Sequence, residues 1–221
     1  MMQTSLTKHA YNEIKNKILN NIWYPGYSIL ITQIAKELNM SRTPVREVLL
    51  KLEHEGFVRI IPRRGIFVES LRIQDIVEIY DLMAVLEGLA ARLLASQVNN
   101  NDLIIKEMEK IIKEGQSALN TSNIDKWAES DIKFHNFLIK NCGNKHLISM
   151  YNLIHDKVYR ARMVTLGVRP KPINSIKEHF EVYKDIKNGN EDDAETAIKR
   201  HRLNGKKIII EALNRLRIMQ I

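Results

Sequence analysis

The sequence predicts a mainly α-helical chain in two parts: a small helical unit closed by a β-hairpin, then an antiparallel all-α bundle. Three observations carry that reading. Apolar residues recur with a helical period over most of the chain. The period becomes strand-like only at residues 57–68. From Leu71 onward, turn signals separate long helical stretches with no strand pattern between them. The 221 residues allow one large domain or two small ones, and 44% hydrophobic residues supply a substantial core. The expected boundary divides residues 1–70 from 71–221.

In the first part, Ala10, Ile14, Ile18 and Leu19 share one face of a helix over 8–21, which Pro25-Gly26 ends. A short helix follows from about Thr32, a candidate N-cap, to Asn39, with Ile34, Ala35 and Leu38 inward. After the turn Asn39-Met40-Ser41, a third helix runs from about Thr43 to Glu55 and buries Val45, Val48, Leu49 and Leu52. Gly56 is placed to stop it. Phe57–Ile61 and Gly65–Val68 are β-rich, and Pro62-Arg63-Arg64 joins them as a hairpin with two arginines at its tip. Three helices and a basic hairpin make a winged helix-turn-helix.

Arg42 and Arg46 stand four residues apart at the start of the third helix, so they share a face. A guanidinium can bond two acceptors on a guanine edge, and a helix N-terminus favours nearby phosphate. Double-stranded DNA is the partner this arrangement suits. The charge distribution agrees. Residues 1–70 hold 10 Lys+Arg against 6 Asp+Glu, a net +4, which is half the chain's +8 on a third of its length.

In the second part, helical patterns run over Arg72–Val98, Asp102–Leu119, Ile124–Asn141, Lys145–Met163, Ile173–Asn188 and Glu191–Ile218. The breaks are Asn99-Asn100-Asn101, Asn120-Thr121-Ser122, Asn141–Asn144, Gly167–Pro172 and Asn188-Gly189-Asn190. Such short connections imply antiparallel neighbours. Asp131 and His135 share a helix face. His179 and His201 flank the turn at Gly189 by 10 and 12 residues, which puts them at similar heights on an antiparallel pair. One oxygen and three imidazole nitrogens suit zinc, nickel, iron or manganese. The same spacing is also compatible with hydrogen-bonded core residues. Cys142 lies about 10 Å beyond His135 along a helix axis, too far to join the set, and reads as a small structural residue.

These residues together resemble the GntR superfamily of bacterial transcription regulators, in the FadR branch with an FCD effector-binding domain. The matching residues are Pro25-Gly26, Leu38 to Glu47, Leu52-Glu53, Glu55-Gly56 and Arg64 to Val68. In the second half they are Leu86-Glu87 with Ala90-Ala91 and Leu93, Asp131 with His135, Glu178-His179, and His201. The resemblance implies a winged helix-turn-helix followed by an FCD-like bundle. It implies DNA contacts from Thr32, Ser41, Arg42, Thr43 and Arg46, and a wing tip at Arg64 and Gly65, beside Arg63. It further implies a divalent metal, zinc first, held by Asp131, His135, His179 and His201, with a small carboxylate effector bound beside it. The chain departs from the family where many FCD domains have an arginine: Met83 stands there. Arg160 or Arg162 could replace that cation, although both otherwise read as surface residues.

The function expected is therefore a homodimeric, ligand-responsive repressor on a palindromic operator, not an enzyme. A metal-free regulator of acyl ligands and a metalloenzyme are the alternatives. No His-Glu-x-x-His motif or evident general base supports the latter. One cysteine, no secretion signal and no apolar stretch of membrane-spanning length predict a cytoplasmic protein away from membranes.

Overall fold

Val45, Val48, Leu49 and Leu52, each at most 1% exposed, form the i, i+3, i+4, i+7 stripe around which the N-terminal elements assemble. The computed structural model describes residues 2–97 and 102–216, so the expected break at Asn99-Asn100-Asn101 and the last helix's expected end at Ile218 lie outside the described residues. The stripe belongs to α3 (Arg42–His54). It packs against α1 (Met2–Leu19), which contributes Ala10, Ile14 and Ile18, and against α2 (Ile31–Glu37), which contributes Ile34 and Ala35.

Three short strands complete this part: β1 (Ser28–Ile29), β2 (Val58–Ile61) and β3 (Gly65–Val68). Their order is β1-β3-β2, all antiparallel, with Ser28 opposite Phe67 and Ile61 opposite Gly65. The hairpin was expected; β1 was not, because two residues are too few to display a period. The arrangement is a winged helix-turn-helix, with β2 and β3 as the wing.

Several boundaries differ from expectation for local reasons. Helix α2 starts at Ile31 with Leu30 as N-cap, so Thr32 lies inside the first turn and does not cap it. Helix α3 starts at Arg42. Ser41 takes the extended N-cap conformation, but its hydroxyl makes no capping bond. In the turn between α2 and α3, Asn39 adopts φ +48° and the Met40 amide returns to the Ala35 carbonyl at 2.9 Å. Gly56, at φ +77°, ends α3 as its placement predicted.

The rest of the chain is helical: α4 (Ile73–Ser96), α5 (Asp102–Asn120), α6 (Ile124–Asn141), α7 (Lys145–Thr165), α8 (Ile173–Lys187) and α9 (Glu191–Arg215), with one 3₁₀ turn at Leu166–Val168. Asn123 caps α6 by accepting the Lys126 amide, and Asn144 accepts those of His146 and Leu147 at the start of α7. Helix α5 packs closely on α6 and α8 at Gly115. A Cβ there would sit 2.9 Å from both Ile176 Cδ1 and Ser130 Oγ. Ser130 in turn donates to the Ile111 carbonyl at 2.6 Å across the same interface.

The contacts divide the chain into two compact units. The first contains the described residues up to Ile73, Asp156–Gly167 and the end of α9 from Leu213. The second contains Gln74–His155 and Val168–Ala212. The second half of α7 thus belongs with the winged elements. There Lys15 pairs with both Asp156 and Glu55, and Tyr159 donates to Asn20.

Candidate functional site

In the first unit, Thr32, Ser41, Arg42, Thr43, Arg46, Arg63, Arg64 and Gly65 are all exposed. The apolar stripe of α3 fixes the outward face: burying Val45, Val48, Leu49 and Leu52 turns Arg42 and Arg46 to solvent. Arg63 and Arg64 occupy the turn between β2 and β3, where Arg63 has φ +63° and the Arg64 amide bonds to the Ile61 carbonyl at 3.0 Å. Among the described residues none of these four arginines forms an ion pair, whereas Arg59 leans on Glu69 at 3.6 Å. Four unpaired guanidinium groups on a helix start and a wing tip leave their charge available to phosphate and base edges.

The second unit holds a buried polar cluster. Each of its four members stands where an apolar residue is due. Asp131 and His135 fall in the inward stripe of α6 with Trp127, Phe134 and Leu138. His179 falls in that of α8 with Ile176, Val182 and Ile186. His201 continues the stripe of Ala194, Ala197 and Ile198 on α9. One potential ligand atom from each of the four lies within 4.8 Å of the others. His201 Nε2 is 3.2 Å from His135 Nε2 and 3.2 Å from His179 Nε2. Asp131 Oδ1 is 3.6 Å from His179 Nε2 and 3.9 Å from His135 Nε2. Phe134 stacks on His179 with ring centroids 3.9 Å apart and walls one side.

Two carboxylates set the proton positions. His135 Nδ1–H donates to Glu87 Oε2 at 2.8 Å, and His201 Nδ1–H donates to Glu178 Oε2 at 2.7 Å. Arg202 grips Glu87 through both oxygens, with Nε–H on Oε2 at 2.7 Å and Nη2–H on Oε1. Burial alone would raise the Glu87 pKa, but Arg202 and His135 overcome it and hold the carboxyl well below its usual range. Glu178 is also lowered: its burial is outweighed by hydrogen bonds from His201 and Asn204. Burial first, then the Arg202 charge, pushes His135 down to about 3 against the pull of Glu87. His201 is lowered chiefly by burial. Both imidazoles are therefore neutral, with the proton on Nδ1 and a lone pair on Nε2.

With the proton of each ring on Nδ1, the Nε2 lone pairs of His135 and His201 face each other across 3.2 Å. A cation between them removes the repulsion. Two nitrogens at about 2.0–2.1 Å from a tetrahedral ion stand about 3.3 Å apart, close to the observed separations. The donor set, its burial and its spacing fit a divalent metal ion. Asp131 would supply the oxygen and the three histidines the nitrogens.

Arg160 and Arg162 belong to the first unit. They are not surface residues, being 2% and 9% exposed, because this half of α7 packs on the winged elements. Arg160 spends one N–H on the Glu69 carbonyl at 2.7 Å, and burial lowers its pKa to about 10. Met83 is buried, and Cys142 is buried and free of disulfide. Sequence reasoning did not assign Glu87, Glu178 and Arg202 a role. The available signal was a charge at a core position: Glu87 lies in the inward stripe of α4 between Met83 and Ala90, wholly buried.

Two family models and several known proteins match the chain over most of its length. The model of the FCD domain matches residues 78–204, and that of the gntR family of bacterial regulatory proteins matches residues 6–68. The uncharacterized HTH-type transcriptional regulator YdhC of Bacillus subtilis (strain 168) is 29% identical over 192 residues, covering 86% of this chain and 85% of that protein. The gluconate operon transcriptional repressor of Bacillus licheniformis is 23% identical, covering 91% of this chain and 78% of its own length. In structure, E. coli McbR/YncC superposes with a TM-score of 0.78 at 17% identity, covering 93% of this chain and 97% of that one.

Proposed function

From the premise that this chain belongs to the GntR family of bacterial transcription regulators and carries an FCD domain, we propose that it is a metal-dependent, effector-responsive repressor. It binds a palindromic operator as a homodimer. Each winged unit reads one half-site, with Arg42 and Arg46 at base edges in the major groove and Arg63, Arg64 and Gly65 against the backbone. Thr32, Ser41 and Thr43 are small, exposed donors on the same helices and suit phosphate oxygens. An exposed stripe on α4, Leu82, Val85 and Leu89, supports self-association: apolar groups at i, i+3 and i+7 are costly to leave in water.

The observation that carries the metal reading is the buried convergence of Asp131, His135, His179 and His201, with the Nε2 atoms of His135 and His201 3.2 Å apart. Zinc suits one carboxylate and three imidazoles best; nickel, iron or manganese would also be accepted. A bound ion would supply a Lewis-acidic centre for a small carboxylate. The chain's own residues hold it: Asp131, His135, His179 and His201 as ligands, with Phe134 covering His179. A carboxylate effector is in keeping with the name of the Bacillus licheniformis relative, a gluconate operon transcriptional repressor. Arg160 and Arg162 as effector clamps draw less support, because Arg160 is engaged with the Glu69 carbonyl. Control requires that the effector bind the DNA-competent and DNA-incompetent states with different affinity.

The relatives are named as transcriptional regulators, which supports a regulatory rather than an enzymatic role. No helix among the described residues is long and apolar enough to cross a membrane. A protein that acts on bacterial DNA works in the cytoplasm. The test is thermal unfolding against small carboxylates and sugar acids, with and without a chelator. Ligand at about 100 times its Kd should add about 2.7 kcal/mol. That corresponds to a melting shift on the order of 5–10 °C. A shift abolished by the chelator supports the reading. A shift that survives it favours a metal-free sensor.

A further inference from the structure

The residues from His201 to Asn204 tie the centre to two other helices. His201 and Asn204, three apart on α9, both bond to Glu178 on α8, through Nδ1–H to Oε2 at 2.7 Å and Nδ2–H to Oε1 at 2.7 Å. Arg202, between them in sequence, grips Glu87 on α4, which holds His135 on α6. The pair Glu178-His179 thus serves two ligands: His179 enters the cluster itself while Glu178 reaches across to His201. Glu87 does the same for His135 from a helix that supplies no ligand.

Resting on the metal reading above, we propose that Glu87 and Glu178 are the positioning residues of this centre, each holding one imidazole by Nδ1–H so that its Nε2 lone pair faces the ion. A free imidazole can carry its proton on either nitrogen and can rotate about two bonds. A carboxylate 2.7–2.8 Å from Nδ1 removes both freedoms. It also raises the donor strength of the opposite nitrogen.

The test uses the whole protein and has two independent readouts. The first is ¹⁵N NMR of the metal-free protein labelled at histidine. Two imidazoles should show the Nδ1–H, bare-Nε2 tautomer. One should lose it in E178M and the other in the double variant E87M/R202M, in which both partners of the buried pair are removed together. In E178Q the amide oxygen can still accept Nδ1–H, so the tautomer should persist. The second readout is zinc affinity by competition with a chromophoric chelator. E178M and E87M/R202M should each weaken it about 10–100-fold, and E178Q less than E178M. Far-UV circular dichroism and melting of the metal-free variants separate misfolding from weakened binding. A wild-type protein that binds no zinc overturns the metal reading and this inference with it. Wild-type binding with both variants within about twofold, or with tautomers unmoved by the substitutions, overturns the inference alone.

Discussion

Removing Arg202 alone should harm this protein far more than removing it together with Glu87. Both side chains are out of water, at 4% and 0% exposure, and they meet through two parallel hydrogen bonds. Truncating either leaves an uncompensated charge in the bundle core, a loss of about 3–5 kcal/mol. R202M strands the Glu87 carboxylate, and E87M strands the Arg202 guanidinium. Independent sites would add to about 6–10 kcal/mol. In E87M/R202M the two methionines replace the pair with apolar volume. What remains, as in E87M, are the His135 Nδ1–H and the buried Tyr151 hydroxyl deprived of their acceptor, at about 1–3 kcal/mol each. The double-mutant cycle should therefore show a coupling of at least about 3 kcal/mol. The assay is urea denaturation of the metal-free protein at neutral pH, with m-values compared to confirm that the same surface unfolds. Additive losses, or single variants within about 1 kcal/mol of wild type, would refute a buried, mutually compensating pair.

The pH dependence of the metal-free protein follows from the lowered histidines. Folded His135 stays neutral down to about 3 and His201 is also lowered, whereas unfolded histidine protonates near 6.5. The stability they contribute is complete above 6.5 and falls as the pH drops below it, because the unfolded chain then binds protons the folded one refuses. Chemical denaturation should show a loss on the order of 2 kcal/mol from pH 7.5 to 5.5. Equal stability at both values would contradict neutral, buried imidazoles. On the DNA side, R63A and R64A should each flatten the slope of log affinity against log salt by about 0.9, one phosphate contact apiece. An unchanged slope would remove the wing from the interface.

Much of the fold was legible because the governing patterns are local. The stripe Val45, Val48, Leu49, Leu52 announces α3, the change of period at 57–68 announces the wing, and Gly56 stops the helix by its positive φ. Strand β1 was invisible at two residues, and the α2 cap was misplaced because Leu30 offers no side-chain oxygen to signal it. The candidate metal ligands were findable from helical spacing: Asp131 and His135 share a face, and the Gly189 turn brings His179 level with His201. Their supporting residues were not. Glu87 and Arg202 are 115 positions apart, and only packing of α4 against α9 brings them together. Arg160 and Arg162 were misread as surface residues because an arginine on an amphipathic helix is usually solvated. Here the second half of α7 is buried among the winged elements.

The central claim is that this chain reads DNA through the start of α3. Its most direct test is to select duplexes from a random library with the wild-type protein. Fluorescence anisotropy then compares the affinity of wild type and of R42A and R46A for the selected sequence at one fixed salt concentration. The account predicts a palindromic selected site and a loss of about 1–3 kcal/mol for each substitution, with discrimination relaxed at the contacted base pair. Wild-type affinity in both variants, or no sequence enriched at all, would contradict it.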